Sequence, residues 1–213
     1  MLQISRLLIF ASGSLSIKTL LQITPSDFII GVDHASYWLI QNKIKPDLAI
    51  GDFDSVTSKE LEIIKSNSKN ILTFSADKDF TDLELAVNKA ILLNPKTVEI
   101  YGSFGTRLDH SLVSIQLLEK FLKPKIKAFI INDTNRCFIP DQISKIEKDN
   151  QYPYLSILPI SKNIIVSISG CKYPLNKAKV TRSSSLCVSN EIVSNIATIT
   201  VHHGLALIIQ SRD

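Results

Sequence analysis

Nowhere does the chain hold the run of about 20 apolar residues that a membrane-spanning helix needs. The apolar stretch within Met1 to Phe10 covers only about five residues before Gly13 and Ser14 break it, which is also too short for a secretory leader. Cysteine is scarce. Cys137, Cys171 and Cys187 form no C-x-x-C pair, so neither a zinc ribbon nor a redox motif is signalled. Their odd number and wide spacing speak against a disulfide framework and for thiols in a reducing compartment, so the expected location is the cytoplasm. The phosphate loop G-x-x-x-x-G-K-[ST] is missing, and so are the protein-kinase signatures, which excludes both of those kinase classes. An Arg-rich stripe interleaved with aromatics is missing too, so nucleic acid is not an expected partner. No internal repeat or low-complexity segment stands out.

What is present is an ordinary globular composition, 45% apolar and 21% charged over 213 residues, enough for one large domain or two small ones. The net charge of +4 hides an asymmetry. Residues 1–110 carry 11 Lys and Arg against 13 Asp and Glu, whereas residues 111–213 carry 13 against 7. The lysines of the second half are scattered and read as a solvated surface.

Texture also divides the chain, somewhat later than charge does. Up to about Asn132, short apolar runs alternate with segments of helical period. Strands are expected at Arg6–Phe10, Phe28–Val32, Asp47–Ile50, Asn70–Phe74, Val98–Tyr101 and Lys127–Ile131. The clearest helix is Thr81–Leu93, with Leu83, Ala86, Val87, Ala90 and Ile91 on one face. Thr81-Asp-Leu-Glu84 and Thr57-Ser-Lys-Glu60 both read as capping boxes. Such alternation implies βαβ units, a parallel sheet and helices on both faces. Beyond it, Pro140, Pro153, Pro159 and Pro174 punctuate β-branched runs at Ile164–Ile168, Ile196–Val201 and Leu205–Ile209. The expected fold is therefore α/β: a Rossmann-like parallel-sheet domain over residues 1–138, then a smaller all-β, sandwich-like domain over 139–213.

The acidic residues are unevenly placed. Eight of the thirteen aspartates fall between Asp33 and Asp109, most of them just after an expected strand. Strand two runs into Asp33, strand three into Gly51-Asp52-Phe53-Asp54-Ser55, and strand four into Asp77-Lys78-Asp79-Phe80-Thr81-Asp82. Strand five runs into Gly102-Ser-Phe-Gly105-Thr-Arg107-Leu-Asp109-His110. Ligands of an open parallel sheet bind outside the carboxyl ends of its strands, so these loops should converge on one crevice. Crowded carboxylates repel unless a cation neutralises them, and hard oxygens at short spacing suit Mg²⁺. Asp52 and Asp54, two residues apart, can reach one ion if Phe53 turns away and packs. Taken singly, each Asp could equally cap a turn or a helix. Gly102-x-x-Gly105-x-Arg107 has the make-up of a phosphate site, with backbone N–H groups free to approach oxygens and a bidentate cation beside them. Two glycines ahead of a helix can also make no more than a tight turn. Trp38 is read as core packing, and the adjacent His202 and His203 point to opposite faces of a strand, which argues against a shared metal.

In this order the acidic and glycine motifs resemble those of the thiamine pyrophosphokinase family, and Ser185-Leu-Cys187-Val-Ser189-Asn190-Glu191 is similar to that family's Ser-Asn segment. The resemblance runs from about residue 31 to 204. It implies a homodimer with thiamine bound between subunits, and transfer of a diphosphate from ATP to thiamine. By that likeness Asp52, Asp54, Asp79 and Asp82 hold Mg²⁺ on the phosphates of ATP, the co-substrate. Asp33, Gly102, Gly105, Arg107 and His110 belong to the ATP site, and Arg107 steadies the transferred group. Asp109 hydrogen-bonds the thiamine pyrimidine, with Ser185, Ser189 and Asn190 closing the pocket. Asp54 and Asp79 are the candidate proton acceptors. The sequence departs from the family pattern at His34, where a Gly-rich stretch is usual, at Thr106, which replaces a common Gly, and at Cys187. Two other classes stay open at this point: a Mg²⁺-dependent hydrolase of a small phosphorylated metabolite, and a non-catalytic thiamine- or nucleotide-binding protein.

Overall fold

The structure, a computed structural model, describes residues 3–75 and 79–213, so Asp77 and Lys78 of the third acidic loop lie outside the described residues. The chain divides into two compact units, Met1–Asp133 and Thr134–Asp213. Asn135–Phe138 thus joins the second unit, where it pairs with a later strand, rather than the first unit as the expected range of 1–138 has it.

In the first unit the chain runs β1 (Arg6–Phe10), α1 (Ile17–Leu20), β2 (Phe28–Val32), α2 (His34–Gln41), β3 (Leu48–Gly51) and α3 (Ser58–Asn67). It continues through β4 (Ile71–Thr73), α4 (Asp82–Leu93), β5 (Thr97–Tyr101), α5 (Leu108–Leu117) with a 3₁₀ turn at Leu118–Phe121, and β6 (Lys127–Ile131). Among the described residues six strands pair in the order β6-β5-β1-β2-β3-β4, every neighbouring pair parallel. Parallel sheets are covered on both faces, so their central strands are apolar throughout rather than alternating. Leu7, Leu8, Ile9 and Phe10 of β1 are accordingly all buried. From β1 the chain steps outward to β2, β3 and β4, then returns through α4 to enter β5 on the other side of β1. The order therefore reverses between β1 and β5, and a reversal of this kind opens a crevice at the strands' carboxyl ends.

The helix starts follow local chemistry, with one divergence. At α3 the Thr57 hydroxyl accepts from the Glu60 amide and the Glu60 carboxylate accepts from the Thr57 amide, a complete capping box. At α4 Thr81 caps the Glu84 amide in the same way, but the Glu84 carboxylate is turned to Lys120 instead. Trp38 packs inward, its ring centroid 6.3 Å from that of Phe10, as core packing requires.

The second unit contains β7 (Asn135–Phe138), β8 (Ile143–Glu147), β9 (Tyr154–Pro159), β10 (Asn163–Ser169), β11 (Leu175–Thr181), β12 (Asn190–Glu191), β13 (Ile196–His203) and β14 (Ala206–Ser211). Within it β12-β9-β14-β7 and β11-β10-β13-β8 pair in those orders, antiparallel throughout. Leu155, Ile157 and Ile208 from the first group share one core with Ile164, Val166 and Ile199 from the second. Alternate residues of β10 are buried, the period-2 pattern of a strand with one covered face. His202 is exposed and its Nε2 sits 2.8 Å from the Ser167 hydroxyl, a surface hydrogen bond.

Candidate active site

The ends of β1 and β5 are joined by their loops. Ala11 N–H donates to Tyr101 O at 2.8 Å, Gly13 N–H to Gly102 O at 2.7 Å, and Ser14 N–H to Phe104 O at 2.8 Å. Gly102 holds φ +67 while pressed against the Ala11 carbonyl, a position with no space for a Cβ. Beside this seam lies a cavity of about 480 Å³, within the range of small-molecule sites. Of the residues singled out in the sequence it is lined by Asp33, Asp82, Gly102, Gly105, Arg107, Asp109 and His110. It is also lined by Ser55 and Ser103 of the quoted motifs, by Ser114, and by Ala11, Ser12 and Gly13, to which the sequence motifs assign no role in a site. The signal for Ala11, Ser12 and Gly13 is Ala-Ser-Gly-Ser directly after a fully apolar strand, the composition of a loop that lets backbone approach a ligand.

The carboxylates of Asp33, Asp52 and Asp82 come from the ends of β2 and β3 and the first turn of α4. Each offers an oxygen within 4.8 Å of the others, and all three side chains are partly buried. Asp33 occupies the N-cap position of α2 but makes no capping hydrogen bond; its φ of 46 and ψ of −126 swing the carboxylate across β3 instead. There Oδ1 accepts the Phe53 N–H at 3.1 Å. A Cβ at Gly51 would collide with this carboxylate, so the glycine of the Gly-Asp-Phe-Asp loop is required by its neighbour. Phe53 turns away from the carboxylates, with φ +58, and is buried against Ala49 and Ile64. The Asp54 amide closes the turn on Asp52 Oδ1 at 3.2 Å, which leaves the Asp54 side chain exposed. Asp79 is exposed as well. The close group thus differs from the expected set of Asp52, Asp54, Asp79 and Asp82: Asp33 takes part, and Asp54 and Asp79 stand outside it.

Burial pushes the Asp33 carboxyl up to about 7, and the nearby negative charges of Asp82 and Asp52 add to the effect. Three such carboxylates form a hard-oxygen donor set with excess negative charge, which fits a divalent cation of the Mg²⁺ kind.

At the start of α5, Arg107 and Asp109 form a bidentate pair, Nε to Oδ1 at 3.2 Å and Nη2 to Oδ2 at 2.6 Å. Both side chains are largely exposed. The Arg107 hydrogen bonds hold the Asp109 carboxyl down at about 2, helped by the His110 N–H that Oδ1 accepts at 3.0 Å. His110 itself is exposed beside the cavity.

In the second unit Ser185 and Ser189 are exposed, Ser189 at φ +57 with its N–H donated to the Ser156 hydroxyl at 3.0 Å. Asn190 is buried. Its Oδ1 accepts from the Tyr173 and Glu191 amides at 3.0 and 2.9 Å, and its Nδ2 donates to Tyr173 O at 2.8 Å. Cys187 belongs to the apolar core rather than to the surface of this segment.

Residues 20–130 match the family described as Thiamin pyrophosphokinase, catalytic domain, and residues 143–206 match Thiamin pyrophosphokinase, vitamin B1 binding domain. A thiamine pyrophosphokinase of Bacillus subtilis (strain 168) is 38% identical over 187 residues, covering 86% of this chain and 87% of that protein. Thiamine pyrophosphokinase 1 of Oryza sativa subsp. japonica is 25% identical over 185 residues, 82% of this chain and 69% of its own. Among solved structures, the Bacillus subtilis thiamine pyrophosphokinase superposes with a TM-score of 0.90 at 34% identity, covering 98% of this chain and 100% of that one. The enzyme from Geobacillus thermodenitrificans gives 0.88 at 26% identity, covering 98% of each chain. With both family domains matched in order, one on each unit, the chain belongs to the thiamin pyrophosphokinase family.

Proposed function

We propose that this protein transfers a diphosphate from ATP to the hydroxyl of thiamine, giving thiamine diphosphate and AMP. The observation that carries this reading is the placement of Asp33, Asp82, Arg107 and Asp109 around one cavity in the unit that matches the family's catalytic domain. We read that unit as a Rossmann-like nucleotide fold, on its parallel sheet and its single reversal of strand order.

Transfer of this kind asks for positioning and charge neutralisation more than for covalent groups. The thiamine oxygen forms a bond to the β-phosphorus of ATP while the bond from that phosphorus to the bridging oxygen of AMP breaks. AMP takes the electron pair, and the hydroxyl proton passes to a base. Asp33, Asp52 and Asp82 would hold Mg²⁺, with Asp54 and Asp79 on the flanking loops. When bound, the ion supplies positive charge to the phosphate oxygens. Arg107 is exposed, so it can leave Asp109 for the transferred group, whose equatorial oxygens match its fork. Asp109, freed in the same exchange, becomes an acceptor for the aminopyrimidine of thiamine. Gly102 and Gly105 bring backbone N–H groups to the phosphates, and His110 stands beside them. Asp54 or Asp79, both solvent-accessible, takes the proton. Ser185 and Ser189 offer the second unit's hydroxyls to thiamine, with Asn190 fixing the segment that carries them.

The active form is a homodimer, since an all-β unit of this size buries a limited core and gains from a second copy. The three unpaired, buried thiols support a reducing compartment, and the cytoplasm is our reading of its location. No described helix is long and apolar enough to cross a membrane.

Phosphorus NMR of the protein with thiamine, ATP and Mg²⁺ tests the reaction. AMP and thiamine diphosphate should appear in equal amounts. Stoichiometric ADP, or release of phosphate without thiamine, would overturn it.

A further inference from the structure

We propose that Lys120 is a positioning residue that holds Asp82 in reach of Asp33 and Asp52. The proposal rests on the reading that these carboxylates bind a divalent cation. Lys120 lies in the 3₁₀ turn that continues α5, and its ammonium reaches three groups around the start of α4. Nζ is 2.6 Å from Glu84 Oε1, donates to Asn88 Oδ1 at 2.9 Å, and sits 5.8 Å from the centroid of the Phe80 ring. Phe80 directly precedes Thr81, the N-cap, and Asp82 is the first residue of the helix. Glu84 and Asn88 are one turn apart on a single face. One cation therefore grips the chain on both sides of Asp82.

The grip has a physical reason. The Asp82 carboxylate stands within 4.8 Å of two others, and once they are ionised their like charges oppose holding the first turn of α4 against the ends of β2 and β3. A complete capping box would stabilise that turn only against itself. Diverting Glu84 to Lys120 ties it to α5, the helix whose opposite end carries Arg107 and Asp109. The side chains of Lys120 and Glu84 are 35% and 19% exposed, so this pair is screened less than a surface one.

The sign of one measurement separates positioning from plain charge. If Lys120 acted only as a positive charge near the cluster, removing it would make the site more negative and tighten a cation. If it positions Asp82, removing it loosens the site and weakens the cation. The experiment is titration of Mn²⁺ into the metal-free protein, followed by electron paramagnetic resonance of the free ion, for wild type, Lys120→Met, Lys120→Arg and Asp82→Asn, with a thermal melt of each. Lys120→Met should bind Mn²⁺ about tenfold more weakly, the low end of what losing the contacts that support a metal site costs, because its partners Glu84, Asn88 and Phe80 flank Asp82 rather than touch it. Lys120→Arg, which keeps the charge and the donors, should stay within about twofold of wild type on the same basis. Unchanged or tighter binding by Lys120→Met, whatever its melting temperature, overturns the positioning role while the loss in Asp82→Asn upholds the metal site. A wild type that binds no Mn²⁺, or an Asp82→Asn that binds as wild type does, overturns the metal reading and this proposal together.

Discussion

Replacing Asp33 by Asn should make the metal-free protein more stable and the enzyme far less active, and the stability gain should depend on pH. The substitution is nearly isosteric, and its Oδ1 can still accept the Phe53 N–H. Burial first, then Asp82 and Asp52, pushes the Asp33 carboxyl from 3.8 up to about 7 in the folded state. The folded protein therefore keeps a proton that the unfolded chain gives up, and stability falls as pH rises from about 4 to about 7. Three pH units correspond to about 4 kcal/mol as a ceiling. Asp33 is partly open to solvent, and screening reduces this to about 1–2 kcal/mol. For a chain of this size that is a rise in Tm of roughly 2–8 °C at pH 8. At pH 5, about one unit above the ordinary carboxyl value, the gain should be roughly a third of that at pH 8, and it should vanish below about pH 4, where the carboxyl is protonated in both folded and unfolded chains. Added Mg²⁺ should raise the wild-type Tm at pH 8 more than that of the variant, because only wild type has the full charge to neutralise. The assay is a thermal melt at pH 5 and pH 8 with chelator and then with Mg²⁺, alongside AMP release, which should drop by about 10²–10³. A variant less stable than wild type at pH 8 without metal, or a gain of equal size at both pH values, would refute the electrostatic account.

Arg107→Ala should lower kcat by about 10²–10³ and let the Asp109 carboxyl return toward the ordinary range, visible by carbon NMR of the labelled side chain. Arg107→Lys should recover only part of the rate, since a point charge cannot reproduce the fork. Burial raises all three thiols, Cys137 to about 12, so the native protein should resist thiol reagents at pH 8 and react fully only once unfolded. Light scattering at micromolar concentration should give twice the chain mass of 23.7 kDa, and an active monomer would contradict the proposed dimer.

Much of the first unit was legible because burial on both faces of a parallel sheet leaves a plain mark. The strands at Arg6–Phe10, Phe28–Val32 and Lys127–Ile131 have the bounds their apolar runs imply. Where the run is short the bounds slipped: Asn70–Phe74 narrows to Ile71–Thr73, an edge strand with mostly uncovered residues. The second unit could be read as all-β from its β-branched runs. Its division from the first could not be placed from composition, because Asn135–Phe138 pairs with β14, far along the chain, and no local feature records such a partner.

The site shows the same limit at finer scale. That the carboxylates lie at strand ends follows from the strands. Which of them meet depends on two backbone reversals, Asp33 at φ +46 and Phe53 at φ +58, which neither a period of 2 nor one of 3.6 encodes. The one local sign was Gly51, read as part of a metal loop when its stricter reason is the Asp33 carboxylate crossing above it. The two Thr-x-x-Glu starts make the point most sharply. At Thr57 the motif closes on itself; at Thr81 the same letters are split by a lysine at position 120. A local motif states which hydrogen bonds are available to a side chain. Whether they are taken depends on what the rest of the fold offers in competition, and beside a cluster of like charges a distant cation is the stronger offer.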